Sequence, residues 1–165
     1  MPEKKTVEKA KRARREGRAP STQAGEFVRE EVHHVREGKH GARSTKQAIA
    51  IGLSKARRAG VDLPPPEKGT VSEKTRRSAE RARTSGRRGK TRTSPRRSQA
   101  TKRALKREGR SAASRKELSK QARSAAQRRT PSERKTSAKR AARTKRRGGR
   151  SAAARKAART RARRG

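Results

Sequence analysis

Residues 44–60 read STKQAIAIGLSKARRAG, and they are the stretch in which aliphatic residues concentrate at helical spacing. Ser44 and Gln47 form a capping box, in which each side chain satisfies a backbone N–H of the first helical turn. Gly60 stands where a left-handed residue ends a helix, and the prolines that follow prevent a restart. The pattern predicts an amphipathic helix over about 44–59 with a basic opposite face. Its apolar face comprises Ala48, Ile49, Gly52, Leu53, Ala56 and Ala59.

A second helix is predicted upstream, over about 21–37. Ser21 or Thr22 is placed to cap it, and Gly38 is placed to end it. Glu31 interrupts the apolar face, so we expect it to pair with a base from the partner helix or to lie at an open edge. The short loop between the two helices favours an antiparallel hairpin. The expected hairpin core is Phe27, Val28, Val32, Val35, Ile49, Leu53 and Ala56.

Two neighbouring segments carry a family resemblance. The run KQAIAIGLSKARRAG occupies residues 46–60. It follows HVREGKHG at 34–41, which contains a basic-acid-Gly-Lys turn at 36–39. Together they resemble a bacterial family of small basic proteins with a KQAIAIGLSxARxAG core, described only as a domain of unknown function. The resemblance extends over about residues 27–63, and Lys55 stands where the family often has Glu. It implies a bacterial origin and no mechanism.

Composition predicts that most of the chain is disordered. The 165 residues include 54 Lys and Arg against 14 Asp and Glu, a formal net charge of +40. Val, Ile, Leu and Phe number 13, about 8%, which is typical of disordered chains. The predicted fold class is therefore mostly disordered with a small all-α part. That part is the two-helix hairpin, about 21–37 and 44–59, followed by a long basic tail with helix-prone segments near 97–107 and 112–129.

The predicted organisation has four parts. A basic N-terminal arm occupies 1–20 and the small helical hairpin module occupies 21–63. A Pro-rich linker follows at 64–70, and a low-complexity Lys/Arg/Ala/Ser tail occupies 71–165. A hairpin of this size buries little apolar surface, so we expect marginal stability alone or a homodimer formed through the hairpin faces.

Several classes of site are not expected. The chain has no cysteine and no apolar run of membrane-spanning length. No nucleophile–base or paired-carboxylate arrangement stands out, so neither enzyme activity nor a cofactor is predicted. His33, His34 and His40 are interpreted as solvated histidines near a helix end, and no metal site is predicted.

The excess positive charge predicts a polyanionic partner, nucleic acid rather than a membrane. The tail is similar to linker-histone and bacterial histone-like tails, and Ser94 to Arg97 reads Ser-Pro-Arg-Arg, as in histone tails that lie in minor grooves. Binding of that kind depends on phosphates with little base reading. With one Phe and no Tyr or Trp, base-stacking platforms are absent.

The predicted function is therefore sequence-nonspecific DNA binding by a cytoplasmic, nucleoid-associated bacterial protein. One alternative is an RNA- or ribosome-associated basic protein, and another is an adaptor whose hairpin binds a protein partner. The residues predicted to contact phosphates are Arg87, Arg88, Lys90, Arg92, Arg96, Arg97, Lys102, Arg103, Lys139, Arg140, Arg143, Lys145, Arg146, Arg147, Arg150, Arg155, Lys156, Arg159, Arg161, Arg163 and Arg164.

Overall fold

A computed structural model of the chain describes residues 2–89 and 94–143, and helices account for most of them. No strand occurs within these ranges. A compact unit ends at Gln121, and the described residues after it belong to a second unit. The helices are α1 (Lys4–Arg15), α2 (Pro20–Arg36), α3 (Thr45–Arg58), α4 (Glu73–Arg87), α5 (Pro95–Lys106), α6 (Arg115–Gln127) and α7 (131–143), with a 3-10 turn at Ser111–Ala113.

Helices α2 and α3 form an antiparallel hairpin. Ala24 and Phe27, near the start of α2, pack with Ala56 near the end of α3. Val35, at the other end of α2, packs with Ala48 near the start of α3. Both helices occupy the segments in which the sequence predicts them.

The start of α3 is capped much as the sequence predicts. Ser44 Oγ accepts a hydrogen bond from Gln47 N at 3.2 Å, whereas the Gln47 side chain accepts from Arg43 N at 2.7 Å, one residue outside the expected capping box. At the start of α2 neither predicted cap is used. Pro20 occupies the first turn after Ala19, because its fixed φ already suits a helix and Ser21 then falls inside the helix.

The hairpin depends on a close approach at Gly52. A Cβ at this position would lie 2.7 Å from Val28 Cα and 3.0 Å from Phe27 O, closer than packed atoms tolerate. Glycine therefore lets α3 lie directly against the backbone of α2. Only small side chains fit beside such a crossing, which explains why Ala24, Ala48 and Ala56 are fully buried around it.

Helices α1 and α4 cover the outer sides of the hairpin. Helix α1 packs against α2 through Ala10, which joins the cluster around Phe27. Helix α4 packs against α3, burying Ala79 and Ala82. Gly86 lies so close to the carbonyl of Arg57 that a Cβ would collide with it.

The linker after α3 is held in place by charged side chains. Arg57 is 6% exposed, and its guanidinium donates to Leu63 O at 3.2 Å and to Pro64 O at 3.0 Å. Burial lowers the pKa of Arg57. Asp62 Oδ1 accepts from Arg83 of α4 at 2.9 Å. The Pro-rich segment is thereby fixed against α3 and α4.

Residues 105–113 dock on the turn of the hairpin mainly through backbone atoms. Gly41 N donates to Leu105 O at 2.8 Å and Ala42 N donates to Gly109 O at 3.0 Å. Thr45 Oγ1 donates to Ala112 O at 2.6 Å. Ala112 and Ala113 then join the cluster around Val35.

The Arg-Glu-Gly-basic sequences at 15–18 and 36–39 end helices in the same way. Gly17 and Gly38 have φ values of 67° and 76°, and each follows a helix whose final carbonyls accept from the next two N–H groups. Gly60, with φ 88°, ends α3 in the same manner, as the sequence predicts. This is the Schellman arrangement, which glycine adopts without a Cβ penalty.

The expectation of a mostly disordered chain is wrong for the described residues. That expectation counted only Val, Ile, Leu and Phe as core formers. Ten of the thirteen buried hydrophobic residues are instead alanine, and Gly52 and Gly86 allow the backbones to meet. The region predicted as a low-complexity tail with helix-prone segments contributes α4, α5, the 3-10 turn and α6, and α5 and α6 fall on the segments predicted near 97–107 and 112–129. Ser94 and Pro95 begin α5, so the Ser-Pro-Arg-Arg sequence is the first turn of a helix.

The predicted hairpin core is only partly sealed from solvent. Phe27, Val35 and Ala56 are fully buried. Leu53 and Val32 are half-buried and pack against the two clusters. The remaining two predicted members, Val28 and Ile49, are also half-buried.

The second unit contains α7, which starts with a reciprocal capping box. Glu133 N donates to Thr130 Oγ1 at 3.2 Å, and Thr130 N donates to Glu133 Oε2 at 2.7 Å. The Thr130 N–H lowers the pKa of Glu133. Thus residues 131–143, which belong to the predicted basic tail, are helical.

We predict opposite effects for alanine at two helical glycines. Gly52→Ala should lower the free energy of unfolding by about 1–3 kcal/mol, because the added methyl meets the α2 backbone. Gly25→Ala should raise it by about 0.5–1 kcal/mol, since no atom lies within 4 Å of that Cβ and alanine favours helix. Urea unfolding followed by circular dichroism measures both. Equal effects of the two substitutions would contradict the close crossing.

We also predict a pH-dependent contribution from Asp62. The Arg83 hydrogen bond lowers the pKa of Asp62 below its unfolded value of about 3.9. Its stabilising contribution is therefore complete above that value and is lost as the pH falls through the folded pKa. Asp62→Asn should lower the Tm at pH 7 but leave it nearly unchanged at pH 2. The exposed linker acid Glu67 provides the control, and an equal pH-dependent loss in Glu67→Gln would argue against the Asp62 contact.

Candidate functional site

Two adjacent carboxylates are buried on α2, on the side that meets α1 and α3. Glu31 is 0% exposed and Glu30 is 7% exposed. Both belong to a helix whose neighbouring turns are apolar, so the fold carries them into the interior. Buried carboxylates are costly unless a cation lies beside them.

Lys55 of α3 supplies one such cation. Its Nζ lies 2.5 Å from Glu31 Oε2 and 3.5 Å from Glu30 Oε1. The expectation that Glu31 pairs with a base from the partner helix is therefore confirmed. Lys55 is itself 20% exposed, so its ammonium lies at the edge of the interior.

Two histidines complete this cluster. His40, in the turn after α2, places Nε2 3.1 Å from Glu31 Oε1. His34, one turn after Glu31, places Nε2 2.9 Å from Glu3 Oε1, and Glu3 N donates to Glu30 Oε2 at 3.2 Å. The rings of the two histidines meet edge to face with centroids 6.1 Å apart. We call Glu30, Glu31, His34, His40 and Lys55 the buried acid–histidine cluster.

The hydrogen bonding of this cluster is incomplete. Among the described residues, both oxygens of Glu31 and Oε1 of Glu30 are buried without a hydrogen bond of acceptable angle. The contacts of Glu31 with Lys55 and His40 are thus close ion-pair contacts whose angles depart from those of hydrogen bonds. Buried polar atoms are normally satisfied, so this departure marks the cluster as a candidate site.

The three histidines do not share one environment. His33 is 65% exposed and lies 3.2 Å from Glu37, which fits the interpretation as a solvated histidine. His34 and His40 are only 12% and 16% exposed, so that interpretation does not describe them. Sequence reasoning missed that His40 contacts Glu31 and that His34 contacts Glu3. The available signal was the Glu-x-x-His spacing, which places Glu31 and His34 on one helix face.

A second set of candidate residues comprises the basic side chains of α5, of α6 and of α7, each helix taken by itself. Residues 94–143 contain 18 Lys and Arg against three acids, and every one of the 18 is exposed. They include predicted phosphate contacts on α5 and α7, namely Arg96, Arg97, Lys102, Arg103, Lys139, Arg140 and Arg143.

The other predicted phosphate contacts fall in two groups. Arg87 and Arg88 are exposed at the end of α4, and Arg87 Nη2 donates to Asp62 Oδ1 at 3.1 Å. The remaining ones lie outside the described residues, and they are Lys90, Arg92, Lys145, Arg146, Arg147, Arg150, Arg155, Lys156, Arg159, Arg161, Arg163 and Arg164.

Many acids of the chain are occupied by internal ion pairs. Arg18 lowers the pKa of Glu16, Lys39 lowers that of Glu37 and Arg76 lowers that of Glu73, each by a side-chain hydrogen bond. At least eight of the 14 acids contact a base of the same chain, and these are Glu3, Glu16, Glu26, Glu30, Glu31, Glu37, Asp62 and Glu73. Seven of these eight precede α4, so the basic side chains beyond α4 keep most of their charge for an external anion.

Comparison with known proteins yields one match. Residues 3–68 match the family model described as Family of unknown function (DUF6496). This supports the resemblance to a small family of unknown function, over a longer stretch than the 27–63 expected. No characterised protein and no solved structure matches the chain. The matched stretch contains the whole buried acid–histidine cluster, whereas α4 to α7 follow it. Within the described residues, no helix is long and apolar enough to cross a membrane.

Removal of the central cation should be costly. We predict that Lys55→Met lowers the free energy of unfolding by about 3 kcal/mol, because two buried carboxylates lose their lysine. Lys46→Met, at an exposed position of the same helix, is the matched control and should change stability by less than about 0.5 kcal/mol. Urea unfolding at neutral pH compares them. Two curves that coincide would show that Lys55 does not stabilise the acids.

Proposed function

We propose that the chain is a sequence-nonspecific nucleic-acid-binding protein that acts on duplex DNA through the basic side chains of α5, α6 and α7. The observation that carries the proposal is the exposure of all 18 bases in residues 94–143 against three acids. Charge of this density requires counterions, and nucleic-acid phosphates supply them with release of condensed salt ions.

The helical state of these segments changes the expected mode of binding. Basic side chains on a helix are spaced at fixed intervals, so they contact phosphates without first ordering the backbone. A segment that folds only on binding carries an ordering cost. A segment that is helical beforehand, as α5, α6 and α7 each are, avoids that cost. Groove reading of bases is not part of the proposal, since binding through phosphates carries no sequence information.

Nucleoid association and a role without catalysis follow as parts of the same proposal. Phosphate neutralisation along DNA is what a histone-like protein of the bacterial cytoplasm does, and binding of this kind uses no bond-breaking chemistry. The RNA-associated alternative uses the same side chains, because lysine and arginine contact phosphates of either nucleic acid. Direct competition is therefore needed to separate them.

The adaptor and homodimer alternatives receive less support from the packing. Both need a free apolar face on the hairpin. Much of that face is instead covered by α1, by α4 and by residues 105–113 of the same chain, although Val28 and Ile49 are only half-buried. Among the described residues, the one large hydrophobic side chain that is exposed is Val71, which lies outside the hairpin.

We predict that neutralising α5 weakens binding. Arg96, Arg97, Lys102 and Arg103 are all exposed, and the fourfold change to Gln preserves helix propensity. The slope of the log association constant against log salt concentration should become shallower by about 0.9 for every phosphate that the variant no longer binds. The association constant at 0.1 M salt should fall on the order of tenfold. Fluorescence anisotropy with labelled duplexes of two unrelated sequences and with a structured RNA measures both quantities.

The matched control removes the same charge from α1, by changing Lys4, Lys5, Lys9 and Lys11 to Gln. These lysines are also exposed, but one acid, Glu8, lies among them and another, Glu3, directly precedes them. The control should bind nearly as tightly as the wild-type protein. Equal weakening in both variants would contradict the assignment to α5, and a clear preference for RNA would replace DNA as the partner.

A further inference from the structure

We propose that Glu31, His34 and His40 form a binding site for a divalent transition-metal ion, and that Zn²⁺ is the ion its donors suit. One ligand atom from each of the three residues lies within 4.8 Å of the others. Glu31 is fully buried, and neither of its oxygens is satisfied by a hydrogen bond within the described residues. The proposal does not depend on nucleic-acid binding.

The fold brings the three donors together from two adjacent segments. Glu31 and His34 are three residues apart on α2, so their side chains leave the same face. Gly38 then reverses the chain with φ 76°, which returns His40 to that face. The turn is anchored because Gly41 N donates to Leu105 O at 2.8 Å. The donors are thus held before an ion arrives.

The hydrogen bond of His40 fixes which nitrogen faces the acid. Nδ1 lies 3.0 Å from Gly41 O, and a carbonyl oxygen only accepts, so Nδ1 carries the hydrogen. In the neutral ring Nε2 then presents a lone pair to Glu31 Oε1, 3.1 Å away. A lone pair and a carboxylate repel unless a proton or a metal ion lies between them. Histidines that bind metals usually donate their other nitrogen to a carbonyl in this way.

His34 has the other arrangement that is common around metals. Its Nε2 lies 2.9 Å from Glu3 Oε1, so a carboxylate accepts from one nitrogen and leaves the second for an ion. The same contact lowers the pKa of Glu3. Because Glu3 precedes α1, an ion on His34 would also fasten the start of α1 to α2.

The local charge also favours a divalent ion. Glu30 and Glu31 carry two negative charges in the interior, and Lys55 supplies one positive charge. Lys55 meets Glu31 through Oε2, which leaves Oε1 toward His40. A second cation there would offset the remaining buried charge.

The donor set selects the class of ion. Two imidazole nitrogens and one carboxylate oxygen match known zinc sites, whereas Ca²⁺ and Mg²⁺ prefer oxygen ligands throughout. Glu31 is fully buried and the two histidines are half-buried, so we expect the ion to stabilise the fold. Its effect would be to tie α1, α2 and the hairpin turn together.

The test uses full-length, tag-free protein freed of nucleic acid and treated with a chelator. Isothermal titration with ZnCl₂ should give one site per chain, and bound Zn²⁺ should raise the Tm. His34→Gln and His40→Gln should each weaken binding at least about tenfold. His33→Gln is the matched control, because His33 is exposed on the same helix and lies outside the site. It should bind like the wild-type protein.

Three outcomes would overturn the proposal. They are no 1:1 binding to the wild-type protein, unchanged binding in His34→Gln and His40→Gln, and equally weakened binding in His33→Gln. If a histidine variant fails to fold, the visible absorption of Co²⁺ added to the wild-type protein decides. Intense bands of a four-coordinate site support the proposal, and a spectrum like that of aqueous Co²⁺ overturns it, leaving the cluster as an ion-pair network.

Discussion

The structure depends on how closely α2 and α3 approach at Gly52. With no side chain there, α3 lies against the backbone of Val28, and the space between the helices admits little more than methyl groups. A core of alanines follows from that spacing, with Phe27 as its single aromatic member. The same device recurs where Gly86 of α4 meets the Arg57 carbonyl. Few large hydrophobic residues are needed because contact between backbones replaces contact between bulky side chains.

The sequence predicts the parts of this fold that are encoded locally. The positions of α2 and α3 follow from periodicity, from the Ser44 cap and from Gly60. The extent of the folded region does not follow, because alanine is counted as a helix former and not as a core residue. The docking of residues 105–113 is also hidden, since it depends mainly on backbone N–H and C=O groups that every sequence has. Composition therefore underestimates order in a chain that packs through alanine and glycine.

The two candidate sites also differ in how much of each could be predicted from the sequence. The basic side chains of α5, α6 and α7 could be predicted because an excess of lysine and arginine is visible in composition. For the buried acid–histidine cluster, the sequence predicts that Glu31 pairs with a basic residue or lies at an open edge. It does not indicate that the turn after Gly38 brings His40 to the same carboxylate, because that contact depends on the conformation of the loop. Residues in turns are positioned by tertiary contacts, here by the carbonyls of Leu105 and Gly109.

The packing of α4 on α3 bears on how the matched family stretch should be understood. That stretch ends at residue 68, within the linker that Arg57 holds through Leu63 O and Pro64 O. Helix α4 begins just beyond it and covers one side of α3. A protein that shared only the matched stretch would therefore carry an uncovered strip along α3. Such a relative would need a different extension or another molecule to cover that strip. The boundary of sequence similarity is therefore not the boundary of the folding unit.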